Sequence, residues 1–207
     1  MMKTPLPVLL IDDHPLLSYG LASCLEETGR FHVGGQANSL EEARRLIDEL
    51  KSLPSLIILD ILLGEENGLD FLPFLKDFCK AKNVPKPPVL VCSVLEDPFR
   101  IQTALKLGAS GYVSKTGDKA ELLHAIDTVL GGKVYITGRH SVKLNESPVT
   151  FAELTKRERE ILSLIKLNKS NQHIAVTLDI NIRTVENHIS RIYFKTGTAS
   201  RHELLGL

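Results

Sequence analysis

Leu56-Ile57-Ile58-Leu59 is a run of four apolar side chains that stops on a carboxylate, Asp60, and no feature constrains the fold of this chain more. A short continuous apolar run suits a strand buried on both faces of a parallel sheet. Three other runs end in the same manner. Val8-Leu9-Leu10-Ile11 leads into Asp12-Asp13, Val89-Leu90-Val91-Cys92 into Ser93, and Gly111-Tyr112-Val113-Ser114 into Lys115. In open α/β sheets, chemistry collects just beyond the carboxyl ends of the strands. If these runs are neighbouring parallel strands, three carboxylates, a hydroxyl and an ammonium converge on one pocket.

Between the runs the apolar spacing lengthens to that of helices. Behind Pro15, which suits a first helical turn, Leu17, Leu21, Cys24 and Leu25 share a face until Gly29. Phe31 to Ala37 reads as a further strand. A capping-box pair, Ser39 and Glu42, precedes a stripe of Leu40, Ala43, Leu46, Ile47 and Leu50. Phe71, Leu72, Leu75 and Phe78 predict a helix deflected or begun late by Pro73. Ile101, Ala104 and Leu105 follow Asp97-Pro98, and a second pair, Asp118 and Glu121, opens a helix that ends at Gly131-Gly132. Alternating strands and helices imply a parallel sheet with helices on both faces. From about Gly138 to Val149 the periodicity lapses, and beyond it only short helices are predicted, opened by Thr155, Ser170 and Asn181. The expected division is a first domain over 1–133, a linker over 134–150 and an all-α domain over 151–207.

Charge supports that division. The chain of 207 residues has zero net charge, but from Leu154 onward it carries nine Lys/Arg against five Asp/Glu, leaving the first part net −4 and the second net +4. A basic second domain is the sign of a nucleic-acid partner. No run approaches the ~18 apolar residues of a membrane span, and the N-terminus lacks the pattern of a signal peptide, so no membrane association and a cytoplasmic location are expected. Cys24, Cys79 and Cys92 lie in apolar contexts without metal-ligand spacing and read as buried thiols.

Taken singly, the strand-end residues are ordinary: an Asp there is more often a helix cap, a Ser a turn residue, a Lys a solvated side chain. Together they are not. Crowded carboxylates raise one another's pKa unless compensated, and a hard divalent cation, Mg²⁺ or Mn²⁺, compensates with oxygen ligands. One carboxylate can then attack a phosphoryl donor while Lys115 and the cation neutralise the transferred group. Asp60, at the end of the central run, is the expected acceptor.

Asp12-Asp13, Asp60 followed by Gly68, Ser93 after its apolar strand, Gly108-Ala109-Ser110-Gly111-Tyr112 and Lys115 together resemble a response-regulator receiver domain. The resemblance implies a flavodoxin-like (βα)5 fold with sheet order 2-1-3-4-5. It also implies that Asp13, Asp60 and the backbone carbonyl of Leu62 hold the cation, with Asp12 acting directly or through water. Ser93 would bond the phosphoryl group as Tyr112 rotates inward. His14 is read as structural. Leu63-Gly64-Glu65-Glu66 departs from the family pattern, which usually has Met-Pro after the acceptor. Gly64 is expected to loosen this loop, and the two glutamates to lie near the cation.

In the third C-terminal helix Ile182, Val185, Ile189 and Ile192 share one face, and Arg183, Asn187 and Ser190 another, which is expected to be exposed. Leu154 to Leu162, Ile174-Ala175, Thr184-Val185-Glu186-Asn187-His188-Ile189, Lys195 and Gly197 resemble a LuxR-type helix-turn-helix, a tetrahelical module that places its third helix in the major groove. Arg183, Thr184, Asn187, Ser190, Arg191, Lys195 and Arg201 are the candidate DNA contacts, and Glu186 either reads cytosine or repels phosphate. Both domains together resemble a response regulator of the NarL/FixJ type. This implies a partner histidine kinase, double-stranded DNA as target and a homodimer on DNA, with a regulator working independently of phosphorylation as the alternative. An aspartyl-phosphate phosphatase is disfavoured because Leu62 stands where such an enzyme wants a second acid. A ligand-sensing regulator is disfavoured because the chain has no Trp and is only 5% aromatic.

Overall fold

The computed structural model describes residues 4–64, 66–94, 98–137, 154–196, 198 and 201–205. Strands β1 (Leu6–Ile11), β2 (Phe31–Ala37), β3 (Leu56–Leu59), β6 (Val89–Ser93), β7 (Gly111–Ser114) and β8 (Tyr135–Ile136) form one parallel sheet in the order β2-β1-β3-β6-β7-β8. Its first five strands follow the expected 2-1-3-4-5 order. Side chains alternate across a strand, and both faces of this sheet are apolar. Leu9, Ile11, Ile57, Leu59, Val89 and Val91 face α2 (Leu40–Glu49), α3 (Phe71–Lys82) and α4 (Pro98–Lys106). Val8, Leu10, Leu56, Ile58, Leu90 and Cys92 face α1 (Pro15–Glu26) and α5 (Lys119–Leu130).

Three local expectations are corrected. β8 adds a short sixth strand at the sheet edge, bonded by Thr137 N to Tyr112 O at 3.0 Å, so the ordered sheet reaches into the first residues assigned to the linker; the rest of the linker, from 138, lies outside the described residues, as does Asp97. Pro73 does not delay α3, which starts at Phe71 behind a 3-10 turn over Gly68–Asp70. Proline at the third position removes an N–H that has no intrahelical partner in any case. The loop after Asp60 is tied down instead of loosened: β4 (Leu62–Leu63) and β5 (Glu66–Asn67) form a tight hairpin, with Gly64 at φ +57° and its N–H donated to Asp13 Oδ2 at 2.7 Å. Proline could supply neither feature. Glu66 turns away from the acidic cluster, its Oε2 accepting the Leu40 N–H of α2 at 2.8 Å; Glu65 lies outside the described residues.

The C-terminal helices α6 (Lys156–Lys166), α7 (Asn171–Thr177), α8 (Ile182–Thr196) and α9 (Arg201–Leu205) enclose their own core of Ile161, Ile165, Ile174, Val185, Ile189, Ile192, Tyr193 and Leu204. Their caps are those the sequence marks. Thr155 and Glu158 make a full capping box, and Ser170 accepts the His173 N–H. Among the described residues no helix is long and apolar enough to cross a membrane.

The two domains touch. α8 lies along α4, with Thr103 Oγ1 donating to Ser190 O at 3.4 Å and Arg183 Nη2 to Val94 O at 3.4 Å. Beside this contact Tyr193 bonds Asn67, and the Asp70 carboxylate accepts the backbone N–H of Arg201.

Candidate functional site

Backbone ladder bonds carry on past the strand ends and set the reactive side chains in place. Asp12 N donates to Ala37 O, Asp60 N to Ile11 O and Lys115 N to Ser93 O, at 2.9, 2.8 and 3.0 Å. The result is the expected convergence. Lys115 Nζ stands 2.6 Å from Asp12 Oδ2 and 2.6 Å from Asp60 Oδ2, with all three side chains nearly sealed from solvent. Asp60 Oδ1 is buried and accepts no hydrogen bond among the described residues. Burial pushes the Asp60 carboxyl above its usual range, against the pull of Lys115 and of the Leu62 amide. For Lys115 burial works downward, yet Asp60 and Asp12 outweigh it and hold the ammonium above its ordinary value.

One ammonium does not balance three carboxylates. Asp12, Asp13, His14 and Asp60 offer ligand atoms that all lie within 4.8 Å of one another. The unengaged Asp60 Oδ1 and this donor set fit a divalent cation. His14, read from sequence as structural, is part of the cluster: its N–H donates to Asp12 Oδ1 at 2.9 Å, and its Nδ1 lies 2.8 Å from Asp13 Oδ1. Only its place after the acidic pair could have signalled that. A Cβ at Gly68 would lie 1.9 Å from Asp60 O, so the loop after Asp60 needs glycine to pass this close.

Ser93 is fully buried and bonds the hydroxyl of Tyr112. Tyr112 is itself fully buried. In this structure the ring lies inside, filling the sheet face under α4.

The candidate DNA contacts divide. Arg183 is exposed, and Thr184, Asn187 and Arg191 are half-buried. The expectation that this face of α8 is exposed is corrected at Ser190, which is 2% exposed beneath α4. Asn187 Oδ1 is buried with no hydrogen bond among the described residues. Lys195 and Arg201 are held inside their own domain, Lys195 Nζ 2.8 Å from Glu158 Oε2 and Arg201 bonded to Asn171 Oδ1 and Lys169 O. Sequence reasoning missed Arg100, a guanidinium only 1% exposed on α4; nothing in its spacing separates it from a solvated helix residue.

A doubly wound parallel sheet with an acid–lysine cluster at its strand ends, followed by a helix-turn-helix, defines a two-domain regulator with a DNA-binding module. Residues 8–127 match the response regulator receiver domain, and residues 152–206 match the bacterial regulatory proteins of the luxR family. The chain is 35% identical to the transcriptional regulatory protein LiaR of Bacillus subtilis over 94% of its own length and 92% of LiaR. It is 31% identical to the response regulator protein VraR of Staphylococcus aureus, covering 94% and 91% of the two chains. A crystal structure of a LuxR-family two-component response regulator from Aurantimonas matches with a TM-score of 0.61 at 26% identity, over 69% of this chain and 96% of that one. The chain belongs to the response-regulator family, as a transcription regulator with a receiver and a LuxR-type DNA-binding domain. Its family is one of DNA-binding regulators, not enzymes.

Proposed function

We propose that a sensor histidine kinase transfers a phosphoryl group to Asp60 and so releases the C-terminal domain to bind double-stranded DNA as a homodimer. The observation that carries this reading is the Asp60 carboxylate itself, with Oδ2 fixed by Lys115 and Oδ1 free for attack. In the transfer a P–O bond forms at Asp60, the P–N bond of the donor phosphohistidine breaks and the imidazole leaves. Asp12, Asp13, Asp60 and the Leu62 carbonyl would hold Mg²⁺ or Mn²⁺, which when bound shields the incoming anion. Lys115 neutralises the transferred group, and Ser93 hydrogen-bonds it.

In the closed form the α8 face that would carry Asn187 and Ser190 to base edges lies against α4, so the free protein holds its DNA-reading surface covered. An acyl phosphate needs to bias such a two-state contact by only a few kcal/mol. Arg183, Thr184, Asn187, Ser190 and Arg191 then reach the groove, while Lys195 and Arg201 shape the module.

The test is intact mass after incubation with acetyl phosphate and Mg²⁺, alongside Asp60→Asn, followed by DNA affinity over a salt series. One added phosphoryl on the parent and none on the variant, with tighter DNA binding that weakens steeply as salt rises, is the expected result. Stimulation that persists in Asp60→Asn overturns the reading.

A further inference from the structure

His14 holds the N-cap position of α1, but its side chain makes no capping bond there. It is the solvent-facing member of the acidic cluster, with 61% of its side chain exposed. The carboxylate oxygens beside it fall into two sets. Lys115 Nζ takes Asp12 Oδ2 and Asp60 Oδ2, each at 2.6 Å, and the Gly64 N–H takes Asp13 Oδ2 at 2.7 Å. The three Oδ1 atoms are left over. Asp13 Oδ1 and Asp60 Oδ1 are both buried and accept no hydrogen bond among the described residues, and Asp60 as a whole is only 2% exposed. Asp12 Oδ1 accepts the backbone N–H of His14 at 2.9 Å.

The imidazole stands against this second set. Its Nδ1 lies 3.2 Å from Asp12 Oδ1 and 2.8 Å from Asp13 Oδ1. A ring proton shared with Asp12 does not reach Asp13 in hydrogen-bond alignment, so the shorter of the two approaches is left unsatisfied. Neighbouring ligand atoms of a six-coordinate ion with bonds of about 2.0–2.1 Å stand about 3 Å apart, and that is the spacing Nδ1 makes with both carboxylates. Oxygen ligands alone suit Mg²⁺, whereas an imidazole nitrogen suits the later first-row ions. We propose that His14 binds the cation through Nδ1 as a fourth side-chain ligand, and that this nitrogen tilts the site from Mg²⁺ toward later first-row divalent ions such as Co²⁺. The inference rests on Asp12, Asp13 and Asp60 forming a cation site. Coordination through Nδ1 leaves the ring proton on Nε2. Lys115 and the Gly64 amide keep their partners, since the oxygens they hold belong to the other set.

The test uses the full chain and the metal alone, with no phosphoryl donor. Co²⁺ and Mg²⁺ affinities are measured by competition with an indicator dye in the parent, His14→Gln and Asp13→Asn. The Mn²⁺ complex of each is recorded by electron spin echo, which detects a directly bound imidazole nitrogen. The parent complex shows nitrogen coupling, and His14→Gln does not. In that variant Co²⁺ binding weakens about tenfold while Mg²⁺ binding stays within about twofold of the parent, and Asp13→Asn weakens both ions, which locates them in the cluster. Equal weakening of the two ions in His14→Gln overturns the inference, because His14 then only steadies Asp12. A parent complex without nitrogen coupling overturns it too, as does coupling that survives His14→Gln, which would put the ion on another histidine. A parent that binds neither ion overturns the cation site itself, and the role of His14 with it.

Discussion

Lys115 is the residue on which the receiver's charge balance turns. Its ammonium lies 2.6 Å from both Asp12 Oδ2 and Asp60 Oδ2 in a nearly dry site, so removing it leaves two buried carboxylates facing each other. Lys115→Ala is expected to cost about 3 kcal/mol in urea unfolding without divalent cation, in line with breaking a buried pair from one side. Millimolar Mg²⁺ should restore much of that loss, since the cation replaces the missing positive charge, and unchanged stability without metal would show the site to be wetter than its geometry. Gly64 makes a different point. The Met-Pro pattern that the receiver resemblance implies suggests that glycine weakens the loop, whereas here φ +57° and the N–H bond to Asp13 both require a residue that is not proline. Gly64→Pro should therefore lower stability by about 1–3 kcal/mol, the cost of an incompatible backbone and a lost charge-assisted bond, measured by thermal unfolding of the receiver transition. The convergence of Asp60, the acidic pair and the lysine was legible in sequence because each ends an apolar run. Hairpin conformation was not, because it depends on where Asp13 lies in space.

Elements were legible wherever a local signal fixes them. The pairs Ser39/Glu42, Asp118/Glu121 and Thr155/Glu158 all open helices, but only the last closes as a reciprocal box. Glu42 instead accepts the Asn38 N–H, and Glu121 accepts the Tyr135 hydroxyl, because spacing decides that a side chain reaches the helix start and neighbours decide which donor it meets. β8 escaped notice for a related reason: two residues show no periodicity, and their strand conformation is imposed by the edge of β7. Glu158 joins local and tertiary order, since its Oε2 accepts Thr155 N at 2.7 Å and pairs with Lys195 Nζ at 2.8 Å while the side chain is 2% exposed. Replacing Glu158 with Ala removes the cap and strands the ammonium that links α6 to α8. The expected loss is about 2–4 kcal/mol in the C-terminal domain, seen as a lower-temperature transition that leaves the receiver transition in place. Thr155→Ala, which removes only half of the box, should cost about 1 kcal/mol, and equal effects of the two would mean that the Lys195 pair contributes nothing.

At the scale of the whole molecule the sequence showed two domains and their opposite charges but not how they meet, because periodicity identifies which helix faces are polar and not which polar face another domain covers. The closed contact also carries a proton dependence. Asp70, at the start of α3, packs against Arg201 of α9, with Arg44 and Glu66 on the receiver side, and burial pushes its carboxyl up to about 7 against the pull of Arg201 and Arg44. When the domains part, Asp70 returns to water and to an ordinary value near 3.8. The closed form then binds one more proton than the open form between these two values. Closure is favoured as pH falls toward 4, and it is progressively lost as pH rises through 7, where a charged Asp70 must stay buried to keep the domains together. From pH 6 to pH 8 the open fraction of the unphosphorylated protein should rise roughly tenfold, one full pKa unit of linkage, measured as exchange of α8 amides corrected for intrinsic rates. Asp70→Asn keeps the shape and removes the titration, so its open fraction should be flat over the same range. A parent as flat as the variant would mean that Asp70 is no drier in the closed form than in the open one. Because Asp70 lies beside α9, outside the contact of α4 with α8, the phosphorylation response should survive Asp70→Asn.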